Sequence, residues 1–205
     1  MDDIIVHASS AQFLQGLLDQ LHREFAMTDL GPLHFFLGIV VTRNSDGLFL
    51  SQRQYAMDLL QRSGLSNCHP VATPADTQAK LSGSDGDLLV DATEYMSLSG
   101  TLQYLTLTRP DISYAVQQIC LHMHAPRAPH LALVKRVLRY VRGKLEFGLH
   151  LRASSSTTLT AYSYANWTGY PDSRRSTSSY CVYYGDNLIS WSSRRQTTVS
   201  WSSAV

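Results

Sequence analysis

Apolar positions in the first stretch of the chain recur at three- and four-residue intervals. Phe13, Leu14, Leu17, Leu18, Leu21 and Phe25 fall on one face, the signature of an amphipathic helix. Ser9 and Ser10 stand just ahead, where a hydroxyl can accept from a first-turn N–H, so a helix over about residues 10–25 is predicted. Before it, Asp3 to His7 reads as a short strand. Asp29-Leu30-Gly31-Pro32 ends the helical pattern. A β pair then runs from Phe35 to Arg43 and from Leu48 to Ser51. The joint is Asn44-Ser45-Asp46-Gly47, whose Asp-Gly step favours a hairpin. Ser51 can cap a further helix through Tyr55, Leu59 and Leu60, with Gly64 as its stop. Residues 66–90 carry Pro70, Pro74, Gly83 and Gly86 with little periodicity and read as a long connector.

Three helices are predicted next. The first covers about 91–108 and stops at Thr108-Arg109-Pro110, because proline cannot continue it. The second opens at Asp111 and reaches about 124. Pro126 and Pro129 set off the third, about 130–142, which ends before Gly143. Such short connections favour a small helical bundle. From Ala153 onward 21 of 53 residues are Ser or Thr, with nine aromatics interleaved. Strands are predicted at Leu159 to Trp167, Ser178 to Tyr184 and Leu188 to Ser193. Gly169-Tyr170-Pro171-Asp172 and Gly185-Asp186-Asn187 turn between them, giving an antiparallel meander. The fold class is α+β.

The 205 residues are 44% hydrophobic and 16% charged, enough to bury a core and incompatible with a fully disordered, collagen-like or coiled-coil chain. No apolar run approaches the roughly 20 residues of a membrane-spanning helix. Met1-Asp2-Asp3 lacks the basic start of a signal peptide. Cys68, Cys120 and Cys181 form neither a disulfide framework nor a zinc pattern. An intracellular chain without membrane contact is expected, with nuclear, cytoplasmic and organellar placement all open. The net charge of +1 conceals a split. Residues 1–94 hold five Lys/Arg and twelve Asp/Glu, or −7, whereas residues 95–205 hold twelve and four, or +8. One half is built to meet something anionic.

The third bundle helix sharpens that. Val134, Val137, Leu138 and Val141 share one face and Lys135, Arg139 and Arg142 the opposite one, with Arg136 at its edge. A helix that buries one side and shows cations on the other can track a phosphate backbone; a merely solvated face has the same pattern. Lys144, Arg127 and Arg109 nearby, against Asp111 and Glu146, favour nucleic acid. At the other end, Asp2 and Asp3 are adjacent carboxylates, which reach one metal site only at a tight bend such as a polymerase palm supplies. The pair also reads as a solvated terminus. His122 and His124 stand about 200° apart on a helix, which disfavours zinc. No glycine-rich phosphate loop and no Ser/His/Asp arrangement is legible.

The wording of the chain adds more. The stretch Asp29-Leu30-Gly31-Pro32-Leu33-His34-Phe35-Phe36-Leu37-Gly38-Ile39 resembles a hallmark of copia-type retrotransposon Pol polyproteins. So do Gly47-Leu48-Phe49-Leu50-Ser51-Gln52 and the long run from Leu102 through Thr108-Arg109-Pro110-Asp111-Ile112 to Val116. Lys135-Arg136-Val137-Leu138-Arg139-Tyr140 with Gly143, and Leu188-Ile189-Ser190-Trp191-Ser192-Ser193, complete the set in family order. The resemblance implies three parts. Residues 1–65 correspond to the end of a reverse-transcriptase palm with a primer-grip-like hairpin, and residues 66–152 to a connector and helical thumb/connection region. Residues 153–205 correspond to the start of a ribonuclease H-like domain. It also implies that Asp2 and Asp3 are the remnant of the polymerase Tyr-x-Asp-Asp motif, that the intact enzyme uses magnesium or manganese, and that an RNA–DNA hybrid is the partner of Lys135, Arg136, Arg139 and Arg142.

The departures weigh against catalysis. Met1 directly precedes Asp2, so the tyrosine of the motif and the strand bearing a third carboxylate are expected to lie upstream. A two-metal site short of a carboxylate holds its ions poorly. Where the family reads Ala-Tyr-Ser-Asp-Ala-Asp-Trp, this chain has Tyr164 and Asn166 in place of both aspartates. The next family carboxylate follows Ser-Ser-Ala, matched here by Ser202-Ser203-Ala204 and then Val205. The expectation is a truncated reverse transcriptase/ribonuclease H fragment, inactive by itself and with no cofactor of its own. The alternatives are a non-catalytic nucleic-acid-binding remnant using helix 130–142, and a mis-segmented piece of an active polyprotein.

Overall fold

The computed structural model describes residues 4–76, 81–166, 172–173 and 175–199. Helix α1 covers Ala11–Glu24. Ser10 is its N-cap, and the Ser10 hydroxyl accepts from the Phe13 amide. None of its residues is buried, and Phe13 is 64% exposed. Residues 4–8 form no strand, contrary to the expectation for Asp3 to His7. A lone strand leaves its ladder groups unpaired, and no neighbour pairs with it among the described residues.

The β pair forms with one break. Strands β1 (Phe35–Phe36) and β2 (Ile39–Asn44) replace the single strand expected from Phe35 to Arg43. Leu37 and Gly38 both have positive φ, 46° and 77°, so the chain folds back and Phe36 pairs with Ile39. β3 is Gly47–Ser51, and Asn44 opposite Gly47 leaves Ser45-Asp46 as a two-residue turn. The pattern missed β4, Leu149–Arg152, which adds to β3. The four-stranded antiparallel sheet β1-β2-β3-β4 thus joins the early hairpin to the residues after the helices.

Helix α2 is Arg53–Arg62. Gln52 is its N-cap, and the Ser51 hydroxyl accepts from the Arg53 amide. Its end is a Schellman turn on Gly64 at φ 69°: Leu65 N–H donates to Leu60 C=O and Gly64 N–H to Gln61 C=O. α3 (Thr93–Leu105), α4 (Ser113–Cys120) and α5 (Ala128–Arg142) follow. A 3₁₀ turn at Pro110–Ile112 takes the place of the first turn expected from Asp111. α5 starts earlier than expected and takes Pro129 into its first turn, where no intrahelical N–H is lost. Ala56, Leu59, Leu60, Leu98, Leu102, Leu105, Ile112, Ala115, Val116, Ile119, Val134, Val137, Leu138 and Val141 form one core between these helices. Tyr95 is fully buried in it and donates its hydroxyl to Ile119 O at 2.7 Å.

The meander forms as an antiparallel sheet of β5 (Leu159–Asn166), β6 (Arg175–Tyr184) and β7 (Asn187–Val199). β6 and β7 run longer than predicted because their outer residues are Ser, Thr, Arg and Gln, which carry no strand period of their own. The architecture is α+β with antiparallel sheets. Among the described residues no helix is long and apolar enough to cross a membrane.

Candidate nucleic-acid interface and the motif junction

Helix α5 turns its valine and leucine stripe fully inward, which fixes its basic residues outward. Lys135 and Arg139 are exposed, and Arg136 and Arg142 half-buried. The arginines fasten the connector. Arg142 Nε donates to Ser66 O at 2.6 Å and Arg139 Nε to His69 O at 3.1 Å. Arg136 donates through Nε and Nη2 to Thr73 O and Oγ1 at 3.3 and 2.9 Å. The four residues expected to meet phosphate do share one surface, and on three of them backbone carbonyls already sit.

At the start of α5 lies a buried polar cluster that the sequence did not signal. His130 accepts the Arg127 amide on Nδ1 at 2.9 Å and meets Ser82 O through Nε2 at 3.0 Å, so the ring is neutral with its proton on Nε2. The His122 ring stacks on it, centroids 3.6 Å apart. Burial, and then the facing imidazole, hold His122 down to about 4; burial likewise lowers His130. Arg127 donates to Gly83 O and Gly86 O. The Asp172 carboxylate accepts from Ser82 Oγ and the Gly83 amide, both at 2.5 Å. These contacts tie the connector to α5 and to the chain between β5 and β6.

A second junction lies at the corner between α3 and α4. Arg109, only 2% exposed, pairs twice with Asp111 at 2.9 and 2.7 Å, and its Nη1 donates to Lys144 O at 3.0 Å. A buried guanidinium left without such partners would be strongly destabilising. Its plane lies over Tyr140 and Phe147. Thr108 donates to Gln52 Oε1 at 2.9 Å, both side chains buried. Tyr104 donates its hydroxyl to Leu37 O. Trp191 Nε1 donates to Thr106 O at 3.2 Å. All five hallmark stretches of the sequence therefore meet at residues 104–111. The readable signal was an arginine two residues before an aspartate across a proline, the spacing of a local ion pair.

The remaining expected site residues are scattered. Asp2 and Asp3 lie outside the described residues, as do Trp167 and Ser202 to Val205. Tyr164 stands on β5 opposite Ser179, 69% exposed, and Asn166 pairs by its backbone with Thr177. Among the described residues no three His, Cys, Asp or Glu side chains gather where they could hold a metal ion. A phenol at 164 is a poor partner for a hard divalent cation. The described residues do not fit the family's magnesium or manganese sites.

Comparison with known proteins agrees with the wording of the motifs. A family described as reverse transcriptase (RNA-dependent DNA polymerase) matches residues 1–77. An uncharacterized mitochondrial protein of Arabidopsis thaliana is 45% identical over 99% of this chain and 84% of its own length. The retrovirus-related Pol polyprotein from transposon RE1 of the same plant is 44% identical over 99% of this chain and 14% of the polyprotein. That from transposon TNT 1-94 of Nicotiana tabacum is 34% identical over 98% and 16%. The chain thus spans most of the mitochondrial relative and a small part of the Pol polyproteins. No solved structure matches it.

Proposed function

The chain belongs to the copia-type retrotransposon Pol family, and from that membership we propose that it is a reverse-transcriptase fragment without catalysis of its own that keeps a nucleic-acid track. In this reading residues 1–65 are the end of the palm with its primer-grip-like hairpin, 66–152 the connector and thumb/connection, and 153–205 the start of a ribonuclease H-like domain inside the cell. The observation that carries it is the row Arg136, Arg139 and Arg142 on the outward side of α5, opposite a fully buried apolar stripe. Tyr164 and Asn166 at the family's aspartate positions support the absence of hybrid cleavage.

Two assays test the two halves. Purified chain is expected to leave a primer on an RNA template unextended with magnesium or manganese; templated extension overturns the inactive reading. An RNA–DNA hybrid is expected to bind with an affinity that falls as salt rises. Lys135→Ala with Arg139→Ala and Arg142→Ala is expected to weaken it by about tenfold or more. Unchanged binding in that triple variant overturns the track.

A second reading, a piece of a longer active polyprotein, is favoured by the 14% share of the Arabidopsis Pol relative that the chain spans. Transcript sequence upstream of Met1 decides it: an open frame carrying a palm aspartate strand supports this reading, and a stop codon removes it.

A further inference from the structure

The arginine row of α5 is occupied. Along the helix from Arg136 to Arg142, the partners run backwards through the connector from Thr73 to His69 to Ser66. The connector therefore lies antiparallel on the basic face, each arginine closing over a backbone carbonyl. Its seat is cut to fit. At Gly143 a Cβ would stand 2.8 Å from Pro70 Cβ, too close for both to stay. Gly143 has φ −77°, a conformation any residue adopts. What the position requires is the missing side chain, which gives Pro70 its place at the end of α5.

The bonds holding this segment are of an exchangeable kind. All of them lie at the exposed surface, and each acceptor is neutral. A phosphate oxygen is the stronger partner for a guanidinium, since charge on both sides shortens and strengthens the bond. Arg139 and Arg142 each commit one N–H to the connector, whereas a guanidinium carries five. The charge on the helix is covered without being neutralised.

We propose that residues 66–73 are a displaceable cover on the basic face of α5, seated in the absence of polyanion and released when phosphates take Arg136, Arg139 and Arg142. This rests on the reading that α5 binds nucleic acid, and deepens it: the site is closed by its own chain and opened by its ligand. The connector behaves as a competitor, so apparent affinity for polyanion is set partly by how often the cover is off.

Gly143→Ala tests this without touching an arginine. Its added methyl crowds Pro70 and loosens the cover, and Pro70→Gly does the same from the other side. Binding of a fluorescein-labelled RNA–DNA hybrid to the full chain is followed by anisotropy, with hydrogen–deuterium exchange read at 66–73 and in α5. The expected result is about threefold or greater tightening in either variant. In the natural chain, exchange at 66–73 is expected to rise on adding hybrid while α5 stays protected. Binding by the variants alone also supports the cover. Hybrid binding with 66–73 unchanged or more protected overturns the cover and leaves the basic helix standing. No binding by natural chain or variants overturns the nucleic-acid reading, and the cover falls with it.

Discussion

The helices α2–α5 and the sheet β5–β7 are both rich in apolar and aromatic residues, yet they dispose of them in opposite ways. In the helical part Leu59, Leu102, Ile112, Ile119, Val134, Val137, Leu138 and Val141 are wholly out of water. Each helix has one apolar stripe, and the helices enclose one another's stripes. A three-stranded sheet has two faces, and here it leans on the helices through a few contacts. Trp191 reaches Thr106, and Gln118 reaches Thr177 at 3.5 Å. Tyr162, Tyr164, Tyr180, Tyr184 and Ile189 stay exposed. β5, paired only with β6 among the described strands, is a bare edge. Apolar content alone does not make a core; it must be placed where another element can cover it.

The largest expected effect tests that contrast directly. Leu138→Ala empties a fully buried site between helices and is expected to cost about 3 kcal/mol in urea unfolding. Tyr164→Ala, on the exposed strand, is expected to cost less than about 0.5 kcal/mol. A Tyr164 cost comparable to that of Leu138 would mean the sheet has a core of its own, and the contrast would fail.

Next in size is the joint between the two regions. His122 and His130 are stacked and neutral in the fold. Asp172, Asp85, Arg127 and Arg195 are the charged groups that act on them. Both imidazoles are held below the usual 6.5, His122 down to about 4, so the unfolded chain binds more protons as pH falls below 6.5. Stability is therefore full above about 6.5 and is lost as pH drops toward about 4. The share of His122 is about 3 kcal/mol, because each unit is worth about 1.4 kcal/mol. Urea midpoints measured across this window are expected to fall, and His122→Phe to flatten the decline. A profile as steep in the variant would remove His122 as its cause.

The same contrast decided what the sequence could say. Helices α1, α2 and α5 were legible because apolar residues recur at helical spacing, and Gly64 marked a true stop. The period could not tell that α1 buries none of its residues: Phe13 and Phe25 have the spacing of core residues and lie in the open, and Leu17 is only half-buried. Strand β4 escaped because Leu149-His150-Leu151-Arg152 is short and follows a helix, so only its pairing with Gly47 to Leu50 reveals it. The basic row on α5 was visible as charge at helical spacing. Its connector partners were not, since a carbonyl has no residue signature. Arg109 read as a helix end, and its burial against Asp111 and Lys144 depends on a contact 35 residues away.

The smallest expected effect concerns the lost aspartate position. Tyr164→Asp places a carboxylate on an exposed strand with nothing to unpack, so its stability change is expected within about 0.5 kcal/mol. It is also expected to create no magnesium-dependent cleavage of an RNA–DNA hybrid. Asp186 sits in the β6–β7 turn beside Tyr184, which pairs with Leu159. That is five residues along β5 from Tyr164, about 16 Å at strand rise. Asp172 already gives both carboxylate oxygens to Ser82 and Gly83. One restored acid therefore finds Asp186 far along the strand and Asp172 already engaged. Hybrid cleavage by Tyr164→Asp would show that a second carboxylate does approach β5, and the open sheet would have to be read as a working site missing a single residue.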